Sequence, residues 1–141
     1  VKWLTYIQNN LLSRIKPTTV HAHWLGRQAE KQAKGFLKNQ KSYKILYQNW
    51  SAPCGEIDII CKDGNCLVFV EVRARNADAL VSGYYSITAS KKQKIRKTIQ
   101  LYLKKLRVQP AGFRFDVVEI RFYPYSDFVI NHYTNVSLST Y

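Results

Sequence analysis

Between Gly55 and Arg73 the sequence GEIDIICKDGNCLVFVEVR sets three carboxylates, Glu56, Asp58 and Glu71, and one guanidinium, Arg73, along two otherwise apolar runs. The runs pair as a hairpin. A turn centred on Asp63–Gly64 puts Glu56 opposite Glu71, and one centred on Gly64–Asn65 puts Asp58 opposite Glu71. In either register side chains alternate, so Glu56, Asp58, Glu71 and Arg73 share one face, and Ile57, Ile59, Cys61, Val68, Val70 and Val72 form the other, the core face. Carboxylates on opposed or diagonal positions stand within about 5–8 Å and repel. A proton shared between raised-pKa carboxyls, an ion pair with Arg73 or a divalent cation relieves that repulsion; Mg2+ and Mn2+ favour clustered hard oxygen ligands of this kind. A solvated strand face with an ordinary Arg–Glu pair is the plainer alternative.

The elements that must carry this face follow from periodicity. Residues 3–15 place Leu4, Ile7, Leu11 and Ile15 at helical spacing, an amphipathic extension ending before Pro17. A second helix over 22–40 turns Leu25, Ala29, Ala33, Phe36 and Leu37 inward, and YKILYQNW (43–50) reads as a strand. After the hairpin, 74–87 lacks periodicity and reads as a loop. Ile95, Ile99, Tyr102, Leu103 and Leu106 mark a helix over 90–107. FRFDVVEIRF (113–122) is a strand whose phase change at Val117–Val118 predicts a bulge or burial of both faces, and a short strand near 127–133 follows. The expected fold is α/β, a mixed sheet flanked by helices in the order α-β-β-β-α-β, with residues 1–20 as an extension and 21–141 as one domain.

Charge is distributed unevenly over the 141 residues, whose formal balance is +13. Residues 1–54 hold nine Lys/Arg against Glu30, and residues 74–112 hold nine against Asp78, whereas 55–73 is acidic on balance. Eight cations and no acid lie between Ser90 and Arg107. A basic surface of this kind attracts polyanions, nucleic acid first among them. No apolar run is long enough to span a bilayer, and VKWLTYIQNN has no signal-peptide hydrophobic block, so a cytoplasmic location is expected. Cys54, Cys61 and Cys66 form no close CxxC pair and read as small hydrophobes. Asp116 reads as a strand-end hydrogen-bonding residue, and His21, His23 and His132 as structural or surface residues.

Asp58 followed after twelve residues by Glu71-Val72-Arg73 resembles the PD-(D/E)xK signature of restriction-endonuclease-like and Holliday-junction-resolvase-like nucleases. More closely, LGRQAEKQAKGFL (25–37), GEIDII (55–60), LVFVEVR (67–73), the basic segment after Ser90 and RFDVV (114–118) together resemble the YraN family of bacterial nuclease-like proteins, over roughly residues 24–122. The resemblance implies a restriction-endonuclease-like domain with Asp58 and Glu71 as central ligands of Mg2+ or Mn2+, completed by Glu30 from the first helix. Glu56 would be an outer-sphere partner or a hold on the basic helix, and Lys91, Lys92, Lys94 and Arg96 would grip the nucleic acid backbone. Arg73 departs from the signature, which has lysine there; guanidinium stays protonated and acts only as a fixed cation. The expectation is a metal-dependent phosphodiesterase with Glu30, Asp58, Glu71 and Arg73 in the chemistry, acting on DNA before RNA, with a homodimer allowed. A non-catalytic nucleic-acid-binding module with a degenerate site is the alternative, and an interaction scaffold using the amino-terminal helix is a third reading.

Overall fold

The computed structural model describes residues 19–124 and 127–139; the helix expected over 3–15 lies outside the described residues. Helix α1 (Thr19–Gly35) widens at its end into a π turn (Phe36–Gln40) and delivers the chain to β1 (Lys44–Ala52). The meander continues through β2 (Gly55–Asp63) and β3 (Cys66–Asn76), crosses over by helix α2 (Ala89–Lys105) to β4 (Gly112–Phe122), and closes with β5 (Val129–Tyr133). Strand order equals chain order, β1-β2-β3-β4-β5, with β3 and β4 parallel and every other neighbouring pair antiparallel. Parallel pairing requires a crossover, and α2 provides it. The short last strand is present, and the helix expected over 22–40 ends five residues early in the π turn.

Both faces of the sheet are covered, as a mixed sheet flanked by helices requires; the single core face read for the hairpin alone is corrected. On one side Ala29 and Ala33 of α1 and Leu37 of the π turn pack on Ile59, Cys61, Val68, Val70, Val118 and Ile120. The two alanines admit the helix close to the sheet. On the other side Ile95, Ile99 and Tyr102 of α2 pack on Ile57, Ile60, Leu67, Phe69, Phe115 and Val117. Burying side chains of this size stabilises by about 1.5–3 kcal/mol each relative to exposure. Val117 and Val118 therefore serve opposite cores, and the unbroken β3–β4 register from Cys66↔Gly112 to Asn76↔Phe122 shows burial of both faces, not a bulge.

Thr88 caps α2 by accepting from Lys91 N–H at 3.2 Å, which fixes where the basic helix begins. Within β4 Asp116, fully buried, accepts from Arg114 Nε (3.0 Å), His132 Nε2 (2.9 Å) and Asn135 N–H (2.9 Å). Burial raises its pKa, but these donors outweigh burial and hold the carboxyl below its ordinary range. Asp116 thus gathers its hydrogen bonds from inside β4 and not at the strand end expected for it, and His132 of β5 is one of its partners. Cys61 is buried and its thiol is pushed up to about 12, which leaves it an inert core residue.

Candidate functional site

The hairpin turns on Gly64–Asn65, because Asp63 pairs with Cys66. That register aligns Asp58 with Glu71, yet the ladder stops at Ile59↔Val70. Beyond it the Asp58 carboxylate accepts the Val72 N–H at 2.7 Å, so a side chain takes the donor that a strand partner would have taken. Across the sheet, Asn49 stands between the pairs Gln48↔Ile59 and Trp50↔Ile57 with a left-handed φ of 49°. Asn tolerates that conformation better than most residues. The irregularity in both strands moves Ile57 to the α2 side while Ile59 stays on the α1 side. By alternation Glu56 leaves the face of Glu71, contrary to the expected common face. It is exposed, and its partner is the Ser51 hydroxyl at 2.8 Å, a neighbouring strand and not the basic helix.

Glu71 lies on the α2 side of β3, 4% exposed. Its Oε1 is 3.5 Å from Arg73 Nη1 and 3.4 Å from Lys91 Nζ, while its Oε2 is buried without a hydrogen-bond partner. Burial raises the Glu71 pKa against the pull of Lys91 and Arg73. Burial, then the Glu71 charge and, more weakly, that of Glu30 push Asp58 up to about 7, against the Val72 hydrogen bond and Lys91. Glu30, half-buried on α1, lies 3.4 Å from Asn49 Nδ2 through its Oε2. Asp58 thus sits in the fields of Glu30 and Glu71, at the notch where β2 leaves β3. The three acids do not converge on one point: among the described residues no group of three or more His, Cys, Asp or Glu side chains is close enough together to hold an ion.

Arg73 is also tied to the loop over 77–88, through Nε to Ser86 Oγ at 3.2 Å. Ser86 Oγ in turn donates to Gly83 O at 2.8 Å, and Gly83 N–H donates to buried Glu119. Arg121 secures the same loop from Glu119 Oε1 (3.3 Å) and Ala79 O (3.0 Å). A Cβ at Gly83 would stand 3.0 Å from both Arg73 Cβ and Glu119 Oε2 and 3.2 Å from Glu119 Cβ. Gly83→Ala is therefore expected to lower stability by about 1–3 kcal/mol and to loosen Arg73, checked by thermal melts and by amide exchange of 77–88. Unchanged melting and exchange would show that the loop absorbs the methyl.

Two site residues escape the sequence reading. Lys91, taken only as a backbone grip, reaches Glu71, because the β3–α2–β4 crossover lays the start of α2 over β3; spacing along the chain carries no trace of that. Asn49 had a visible signal, an Asn inside a strand-forming run, where Asn is depleted. Lys92 is half-buried and Lys94 and Arg96 are exposed on the same helix.

Residues 29–120 match the family described as Uncharacterised protein family UPF0102. A UPF0102 protein of Desulfosudis oleivorans is 45% identical over 96 residues, which cover 68% of this chain and 77% of that protein. One of Clostridium tetani is 43% identical over 103 residues, covering 73% and 84%. One of Legionella pneumophila is 43% identical over 96 residues, covering 67% and 80%. The matched segment holds Glu30, the β1–β2 irregularity, Glu71, Arg73 and all of α2. The chain belongs to the UPF0102 family, the YraN group of restriction-endonuclease-like proteins that its motifs resemble.

Proposed function

We propose that the protein is a nuclease that hydrolyses phosphodiester bonds in nucleic acid, DNA before RNA, with Asp58 and Glu71 the residues that would hold Mg2+ or Mn2+ and Glu30, which must leave Asn49 to reach them, completing the set. The observation that carries the reading is the buried, unpartnered Oε2 of Glu71 beside an Asp58 whose pKa burial and neighbouring acids raise to about 7. A buried acceptor without a donor is costly, and hard oxygen donors short of positive charge suit a divalent cation. When bound, the ion supplies Lewis acidity toward the phosphate and lowers the pKa of an attacking water. Arg73, fixed between Glu71 and Ser86, stabilises negative charge developing on the phosphate. Lys91 is the second cation at the same oxygen, and its side chain, 39% exposed, is long enough to turn toward substrate. Lys92, Lys94 and Arg96 bind backbone phosphates, which positions substrate without reading sequence.

No helix among the described residues is long and apolar enough to cross a membrane. A panel of single-stranded, duplex, flap and four-way-junction substrates with Mg2+ or Mn2+ tests the proposal. Wild type is expected to cleave at least one, and Asp58→Ala with Glu71→Ala to cleave none. Salt-sensitive binding without cleavage by any preparation would replace the enzyme reading with the non-catalytic module, which Arg73 in the lysine position favours. Equal cleavage by wild type and the double variant would place the activity outside this site.

A further inference from the structure

The residues beside Glu30 lead away from the carboxylates in one direction. One turn along α1, Lys34 Nζ donates to Gln48 Oε1 at 2.7 Å, and Gln48 adjoins Asn49, the partner of Glu30. From there a groove of about 420 Å³ runs between α1 with its π turn and β1, lined by Lys34 and Lys38 on one wall and Lys44 and Gln48 on the other. No acid lines it. β1 is an edge strand whose pairing with β2 shifts register between Ile45 and Tyr47, beside the groove. Edge strands are often protected by lysine, and that explains Lys44 alone. It does not explain two further lysines facing it from α1 and the π turn. Like charges held across a groove repel and raise the local potential for an anion.

We propose that this groove is a track for one strand of a nucleic acid backbone, bringing it to the notch that holds Asp58. The inference rests on the nuclease reading and deepens it by naming a second contact surface. α1 and α2 cover opposite faces of the sheet, so the groove and the Lys91–Arg96 surface approach the carboxylates from different sides. The occupant is a polyanion with regularly spaced charges, because the groove sets three ammonium groups and a neutral amide along walls that also carry Tyr43, Ile45, Leu46 and Tyr47, and so offers several charges in succession where a compact anion would need one. Phosphate contacts of this kind carry no sequence preference.

The test measures fluorescence anisotropy of a labelled DNA oligonucleotide, single-stranded and duplex, over a range of salt. Three proteins are compared: wild type, the groove triple Lys34→Ala, Lys38→Ala, Lys44→Ala, and a charge-matched triple Lys97→Ala, Lys104→Ala, Arg107→Ala on exposed parts of α2 and just beyond it. If all three groove lysines touch phosphate, the groove triple flattens the logarithmic salt slope by about 2–3 units, and the matched triple changes it less. Melting temperatures with and without Mn2+ verify that each protein is folded and that its carboxylates respond as in wild type. Equal slopes for the two triples would overturn the track, since only overall charge would then matter. No salt-sensitive binding by wild type would sink the nuclease reading and the track together, whereas retained binding with an unchanged groove-triple slope sinks the track alone.

Discussion

Asp58→Asn is expected to melt above wild type near pH 8 in the absence of divalent ions, although it removes a hydrogen-bonded residue from the sheet. The folded state pushes the Asp58 carboxyl from an ordinary 3.8 to about 7. Between those values the folded protein keeps a proton that the unfolded chain releases, so stability falls as pH rises from about 4 to about 7 and stays low above. Three pKa units set a ceiling of about 4 kcal/mol near pH 8, falling to about 1–2 kcal/mol at pH 5 and to less than about 1 kcal/mol at pH 4. Asn keeps an oxygen for the Val72 N–H and carries no charge to desolvate, so the variant recovers part of that ceiling, less the cost of its new amide donors. Mn2+ should reverse the order: a ligand bound only by the folded state raises wild-type melting, and the variant has lost a central ligand. Melts at pH 4, 6 and 8, with and without Mn2+, decide the matter. An Asp58→Asn protein less stable than wild type at pH 8 without metal would show that the carboxylate is not strained, and the principal support for a cation site would go with it.

That strain is also where sequence reasoning reached its limit. The hairpin and the basic helix were legible, because strand alternation and helical spacing are local properties, whereas the alignment of Asp58 with Glu71 was one of two registers the sequence left open. The apolar side of the hairpin was legible only in part. Val68, Val70, Ile59 and Cys61 do share a core, but Ile57 crosses to the other because Asn49 and Asp58 interrupt the two strands at the same level. A one-residue irregularity reverses every face assignment beyond it, and no pattern rule announces it when both faces are apolar. The runs LVFV and VVEI left the same ambiguity, since a strand buried on both sides has lost the alternation that identifies a solvent face. Lys91 was visible as a charge and invisible as a neighbour of Glu71, because their proximity comes from the crossover and not from spacing. Glu119, which holds the Arg73 loop, was hidden in RFDVVEI for the same reason.

Lys91→Met is expected to move two measurements in opposite directions. In wild type the ammonium stands 3.4 Å from the oxygen of Glu71 that also faces Arg73, so it competes with any cation for that carboxylate. Its partial exposure limits the attraction to about 1 kcal/mol, and removing it should tighten Mn2+ binding roughly three- to tenfold. The same change deprives the phosphate of a cation close to the bond being broken, and loss of one such group commonly lowers the rate by about 100- to 1,000-fold. Arg73→Lys offers the contrast. It keeps one positive charge beside Glu71 but loses the fork that binds Glu71 and Ser86 together, so cleavage should fall only several-fold, and amide exchange in 77–88 should rise. Had position 73 been the sole source of an amine, restoring lysine there would raise activity; with Lys91 already at Glu71, no gain is expected. Manganese titration by calorimetry and single-turnover cleavage, run on both variants and on wild type, separate the roles. Tighter metal binding with unchanged cleavage in Lys91→Met would reduce Lys91 to a counterion of Glu71. A rate increase in Arg73→Lys would return the chemistry to position 73 and remove Lys91 from it.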